Sequence, residues 1–262
     1  MLAPRILSGP YQRWNSKWGA PEGRWWTRVI DRRYWTTHGV ASLVGPFAFQ
    51  PNNDTRAFEY PWAFEALGVS KGLHVLEIGG GLSGLQFVLA RSGCKVTNVD
   101  PGEEAAGLAW PLDASVFAQL NRRFRTDVVL RKCFVEEAQL RDASFDRVVS
   151  ISVVEHIPRE NIQTLLEHVC RVLKPGGLFV MTVDLFLDLE PFTTEKCNRF
   201  GKNVSLEWVI RESGLKLLRG SPAELYGYES FDPERILCRK DDYFVGRRWP
   251  TMVQTVVLRK GS

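Results

Sequence analysis

Apolar and polar positions change rhythm near residue 70. From there, short apolar runs alternate with segments of helical period. The run "LHVLEIG" (73–79) is nearly continuous in apolar residues, as in a strand covered on both faces, and it meets glycines. "SGLQFVLARSG" follows as a helix with Gly93 as its stop. The second strand is "KVTNVD" (95–100), the third "DVVLRKCFV" (127–135), and the fourth lies in "FDRVVSISVVEHI" (145–157). Between the second and third, 103–124 holds one or two helices broken near Pro111. "ENIQTLLEHVCRVL" sets Ile162, Leu165, Leu166, Val169, Val172 and Leu173 on one helical face. "KPGG" turns the chain into the fifth strand, "LFVMTVDL", and "SLEWVIRESG" is another helix. "LKLLRGSP" and "TMVQTVVLRK" are the last strands, separated by an irregular insert at about 222–249.

Strands that alternate with helices predict an α/β fold with a parallel, doubly wound sheet. Its ligand belongs at the carboxyl ends of the central strands, near the first glycine turn. Residues 1–68 break the pattern. They hold six of the nine tryptophans (Trp14, Trp18, Trp25, Trp26, Trp35, Trp62) and the run Arg28, Arg32, Arg33. Helical pieces are expected around 22–37 and 58–68, with the turn-rich "GPFAFQPNNDT" between them. The chain therefore divides into a helical, aromatic-rich N-terminal cap or lid (1–68) and a core (69–262).

Composition narrows the class. With 44% hydrophobic and 24% charged residues, the chain is globular. The net charge of +4 comes from 34 basic and 30 acidic residues without a long basic run, so no nucleic-acid partner is expected. No run of about 18 apolar residues occurs and the first residues lack a signal-peptide core, so no membrane partner is expected either. Cys94, Cys133, Cys170, Cys197 and Cys238 are odd in number and contain no CxxC pair, which favours free thiols in a cytoplasm. The sequon at Asn203 reads as chance.

The glycine turn admits two cofactors. Gly79, Gly81 and Gly84 satisfy G-x-G-x-x-G, and Asp100 follows about 20 residues on, as in a dinucleotide fingerprint. Glu77 opposes that reading. A pyrophosphate on the helix N-terminus is an anion, and a carboxylate beside it is repelled. A ligand carrying an amine and a sulfonium, with no phosphate, is attracted instead.

Taken together, "VLEIGGGLSG", the Asp100 strand end, "FDRVVSISVVEHI" and "VLKPGGLFVM" resemble the class I S-adenosylmethionine-dependent methyltransferases over about residues 71–185. The resemblance implies a Rossmann-like seven-stranded sheet whose last strand, "TMVQTVVLRK", runs antiparallel. It also implies site roles. Gly79, Gly80 and Gly81 let the backbone approach the cofactor, Glu77 meets its amino group, and Asp100, next to Pro101, takes the ribose hydroxyls. Val135, Glu136 and Glu137 flank the adenine, with Glu136 the acid near its amine, and Ser150 and Ser152 end the fourth strand beside the cofactor. Where the family has a third glycine this chain has Ser83, which can donate to the methionine carboxylate.

The acceptor side is read from chemistry. A hydroxyl acceptor needs a base, and His156 in "VVEHI" leads, with His38 second. His74 reads as core and His168 as helix surface. Asp184, ending the fifth strand, can orient a hydroxyl or bind an amine; no metal site is expected. Tyr34, Tyr60, Trp62 and Arg56 are candidates to touch acceptor or cofactor, and Tyr226, Tyr228, Phe231 and Trp249 candidates for a further pocket wall. The expected activity is methyl transfer from S-adenosylmethionine to an oxygen, less readily a nitrogen, of a small polar molecule such as a sugar or natural-product intermediate. The alternatives are a nicotinamide-dependent oxidoreductase and a non-catalytic binding protein on the same fold.

Overall fold

The computed structural model describes residues 1–261 except 38, 105–111, 190–191 and 248–249. Its central sheet has seven strands: β1 (His74–Ile78), β2 (Lys95–Val99), β3 (Val129–Arg131), β4 (Phe145–Ile151), β5 (Leu173–Phe186), β6 (Lys216–Arg219) and β7 (Thr251–Arg259). They lie in the order β3-β2-β1-β4-β5-β7-β6. Strands β1 to β5 pair in parallel, and β7 runs antiparallel to both β5 and β6. The order reverses between β1 and β4, which opens a crevice at their carboxyl ends.

Alternation along β1 feeds two cores. Val75 joins the cluster shared with α3 (Arg56–Ala66), α4 (Gly84–Arg91) and α5 (Ala114–Phe124). Leu76 joins the opposite cluster, under α6 (Arg159–Val172) and α7 (Leu206–Ser213). All six apolar positions expected on the α6 face are buried. The fifth strand begins at Leu173, so "KPGG" lies within it; a register shift opposite Phe145 and Arg147, with Gly176 at φ +74°, absorbs the expected turn.

The N-terminal segment departs most from expectation. The first helix is α1 (Gly9–Trp18), opened by the Ser8 side chain and stopped by Gly19 at φ +78°. Where a helix over 22–37 is expected, only two 3₁₀ turns form, Trp25–Arg28 and Arg32–Tyr34. Adjacent tryptophans and the β-branched Thr27, Val29 and Ile30 are poor helix formers, and Asp31 accepts from the Arg33 amide at 2.9 Å to make a local turn instead. A short α2 (Val40–Val44) follows.

This segment is joined to the rest of the chain. Leu2 bridges Gln254 on β7, and the Ala3 amide donates to Val253 O at 2.9 Å. Helix α3 carries Pro61 in its interior, so the carbonyl of Ala57 loses its intrahelical donor. Asn15 of α1 replaces it, its Nδ2 donating to Ala57 O at 2.7 Å.

The 222–249 insert contains α8 (Pro233–Cys238). Tyr226 and Phe231 pack with Phe192 at ring-centroid distances of 5.6 to 6.4 Å, in a third cluster with Leu185 and Met252. Asn203 is buried and exchanges hydrogen bonds with the Phe186 backbone, so its sequon is a structural clamp. All five cysteines are free, and among the described residues no helix is long and apolar enough to cross a membrane.

Candidate functional site

A cavity of about 310 Å³ lies in the crevice where β1, β2 and β4 end. Its floor is the glycine turn. Gly79 stands at φ +69°, and a Cβ there would lie 2.5 Å from Val153; Gly81 stands at φ +52°, and a Cβ there would meet Gln50 Oε1 at 2.4 Å. Only glycine fits either place. Asn98 braces the turn from below, accepting from Gly80 N at 3.2 Å and donating to Gly81 O at 3.1 Å. Both Asp100 oxygens accept backbone amides at 2.7 Å, Oδ2 from Gly81 and Oδ1 from Gly102. The carboxylate thus makes a turn and still lines the cavity with lone pairs to spare.

Glu77 projects from the end of β1 and is 2% exposed. Ser83 Oγ donates to its Oε1 at 3.2 Å, while Oε2 is buried with no hydrogen-bond partner. Burial pushes this carboxyl up to about 8, and the nearby Asp100 adds to the rise. Phe134, Val135 and Glu136 form the wall beyond β3, while Glu137 turns back to accept from the Phe134 amide at 3.1 Å.

The cover comes from the N-terminal segment. Gln50, Pro51, Asn52 and Asn53 line the cavity, and Gln50 Oε1 accepts the Leu82 amide at 2.7 Å. Tyr60 donates to Asn52 Oδ1 at 2.9 Å. Arg56 is the only lysine or arginine among the described lining residues.

Below the far end lies a buried polar network. Ser152, at φ +47°, holds Thr182 O through its amide and donates its hydroxyl to Glu59 Oε1 at 2.7 Å. Thr182 Oγ1 donates to the same oxygen at 2.6 Å, and Arg56 pairs with Oε2 and with Ser152 Oγ. Asp184 Oδ1 lies 3.3 Å from Ser152 Oγ, and the Asp184 amide donates to Glu155 Oε1 at 2.9 Å. Burial, with their mutual repulsion, raises Asp184 strongly; burial also raises Glu155, to about 7. The Arg56 guanidinium is itself desolvated, and Glu59 and Asp184 outweigh that cost and keep it charged. His156 lines the cavity above this network. Burial lowers its pKa, against the pull of Asp184, so the ring is neutral near pH 7.

One cavity therefore gathers Glu77, Gly79, Gly80, Ser83, Asp100, Pro101, Val135, Glu136, Ser152, Tyr60 and His156. Others fall elsewhere. Gly81 faces Gln50, Asp184 sits under Ser152, Trp62 is in the core, and Tyr34 is 54% exposed. His74 is half-buried at the strand start, and His168 is half-buried beside Arg171. Tyr226, Tyr228 and Phe231 pack away from the cavity; His38 and Trp249 lie outside the described residues. Sequence reasoning missed the Gln50–Asn53 cover, Asn161 and Leu165 on the wall, and the buried Glu59 and Glu155. The cover had a signal, a Pro-Asn-rich stretch abutting a helix, which reads equally as a plain turn.

Residues 76–181 match the family model described as a methyltransferase domain. They form a class I S-adenosylmethionine-dependent methyltransferase domain. The chain is 31% identical over 119 residues to a sterol 4-C-methyltransferase of Caenorhabditis elegans, covering 45% of this chain and 33% of that one. It is 30% identical to the human mitochondrial ubiquinone biosynthesis O-methyltransferase (56% of this chain, 42% of that). It is 26% identical to the Pseudomonas aeruginosa enzyme of that name (77% and 82%). The chain thus spans less than half the length of the first two relatives. Among solved structures, the geranyl diphosphate C-methyltransferase of Streptomyces coelicolor shares the fold at a TM-score of 0.54 and 13% identity, over 77% of this chain and 78% of that one. The (4+2)-cyclase SpnF does so at 0.58 and 15%, over 92% and 97%.

Proposed function

We propose that this protein transfers the methyl group of S-adenosylmethionine to a hydroxyl oxygen, less readily a nitrogen, of a small molecule. The observation that carries the reading is Glu77. Its buried, unpartnered Oε2 at the glycine turn fits a cationic amine and would repel a pyrophosphate. The cosubstrate supplies an activated methyl group on a sulfonium. Glu77 holds its amino group, Arg56 its carboxylate, Asp100 its ribose hydroxyls, and Val135 with Glu136 flank its adenine. These contacts fix the methyl group so that most of the work left is alignment and exclusion of water.

His156, neutral and on the cavity wall, takes the proton of the acceptor hydroxyl. The sequence favours a polar acceptor because of the charges in residues 1–68. Of those charges only Arg56 and no acid lines the cavity, while Val153, Ile157 and Leu165 do. An acceptor with an apolar body and one hydroxyl fits that wall, and the ubiquinone biosynthesis relatives are named as O-methyltransferases. If His156 is the base, His156→Ala lowers turnover about a hundredfold or more and leaves cofactor affinity unchanged; equal turnover removes it from the reaction.

Thermal unfolding in excess S-adenosylmethionine, S-adenosylhomocysteine or NAD tests the reading. A ligand at a hundred times its Kd stabilises by about 2.7 kcal/mol. Stabilisation by the first two is expected, and stabilisation by NAD alone overturns the proposal.

A further inference from the structure

Charge and exposed apolar surface are unevenly distributed. Residues 1–50 carry seven Lys and Arg against two Asp and Glu, so their net charge of +5 exceeds the +4 of the whole chain. The same stretch holds an excess of exposed apolar side chains. Trp25 (59%), Val29 (64%), Tyr34 (54%) and Leu43 (42%) make half of the large exposed apolar residues among those described. They fall within 19 residues, interleaved with Arg28, Arg32 and Arg33.

Hydrogen bonds draw parts of this stretch together. The Arg24 amide donates to Val44 O at 2.7 Å and its Nη1 to Ser42 O at 2.8 Å, bringing Trp25 toward Leu43. Arg123 Nε donates to Thr36 O at 2.8 Å, which attaches the end of α5. There Arg91, Arg122, Arg123 and Arg125 surround a shallow cavity of about 230 Å³ backed by Ala41 and Phe124. None of the four is in an ion pair among the described residues. Cationic side chains lie over rings: Arg32 over Trp35, Arg33 over Tyr34, and Lys17 and Arg91 over Trp18. Stems on apolar surface with charges facing outward is how basic side chains settle at an interface.

A plainer account covers part of this. Arginines in the last turns of α4 and α5 complement the helix dipoles. It leaves the exposed Trp25, Val29 and Leu43, and Arg28 and Arg32, unexplained, whereas Arg33 pairs with Asp31 at 2.8 Å. Nucleic acid fits poorly, because Trp25 already stacks on Trp26 at 3.8 Å and the two aliphatic side chains offer nothing to a base. A second copy fits poorly too, because a two-fold contact would press one cationic face on another.

The geometry points to a docking surface for an anionic lipid bilayer. Trp25, Val29, Tyr34 and Leu43 enter the headgroup layer, and the arginine cavity seats lipid phosphates. The expectation of no membrane partner rested on the lack of a spanning segment and of a signal-peptide core. Peripheral docking needs neither. The surface is tied to the cover of the cofactor cavity, since Asn52 donates to Pro21 O at 2.7 Å and Trp35 packs edge-on against Phe49.

Flotation of the full chain with vesicles tests this. Binding to equimolar phosphatidylcholine and phosphatidylglycerol, weak binding to phosphatidylcholine alone, and loss at high salt are expected. The pair Trp25→Ser and Val29→Ser lowers partitioning about tenfold, and the pair Arg122→Glu and Arg125→Glu does so by about tenfold or more. S-adenosylmethionine still stabilises each variant, which separates this proposal from the methyltransferase reading. The proposal is overturned by equal binding to neutral vesicles or none to anionic ones. It is equally overturned if both variant pairs float like the parent, if polyuridylate binds more tightly than vesicles, or if the surface proves to be a self-association interface by sedimentation.

Discussion

Glu77 shows what one buried carboxyl does to the chemistry around it. Its pKa near 8 exceeds that of an unfolded glutamate, so in the cofactor-free protein its contribution to stability is full below about 4.5 and is lost as pH rises through about 8. A cation seated on Oε2 favours the ionised form and reverses the shift. Cofactor binding is therefore expected to release a proton near pH 7, and affinity to climb with pH up to about 8. Calorimetry in buffers of different ionisation enthalpy reads that proton, and Glu77→Gln abolishes it. If the same proton is released by the variant, Glu77 is not its source. Glycines and Asp100 were legible in the sequence because backbone conformation restricts those positions to few residue types. Glu59 and Glu155 were not, because no pattern in "AFEYPW" or "VVEHI" separates a buried, bonded glutamate from a solvated one.

Helices and strands were legible where amphipathic period and burial agree. The α6 face and β1 are examples, with both predicted boundaries close to those observed. The 22–37 stretch was misread because aromatic residues carry an apolar signal without a helical period, and local turns of Asp31 and Thr37 decide the backbone. Helix α3 adds a dependence that no single element shows. Pro61 costs it one internal hydrogen bond, and α1 supplies the replacement through Asn15. Asn15→Ala leaves the Ala57 carbonyl without that donor and is expected to destabilise the protein by about 1–3 kcal/mol. Urea unfolding measures it, and Asn15→Asp, which has no donor in its ionised form, should fare no better.

At the scale of the whole molecule, strand order sets the site. The reversal between β1 and β4 places Glu77, Asp100 and Ser152 round one crevice, although they are 75 residues apart in sequence from first to last. That much follows from the alternation of strands and helices. What covers the crevice does not, since it depends on how residues 1–68 pack on the sheet. Two attachments result. Helix α3 is fixed from beneath, where Glu59 grips Ser152 and Thr182, and its neighbours belong to the main core. The loop ahead of it is rooted in the same core through Phe47 and Phe49, and the Gln50 side chain accepts the Leu82 amide. A roof so rooted ties the shape of the chamber to the soundness of the main core, so a core substitution far from the crevice also loosens the chamber.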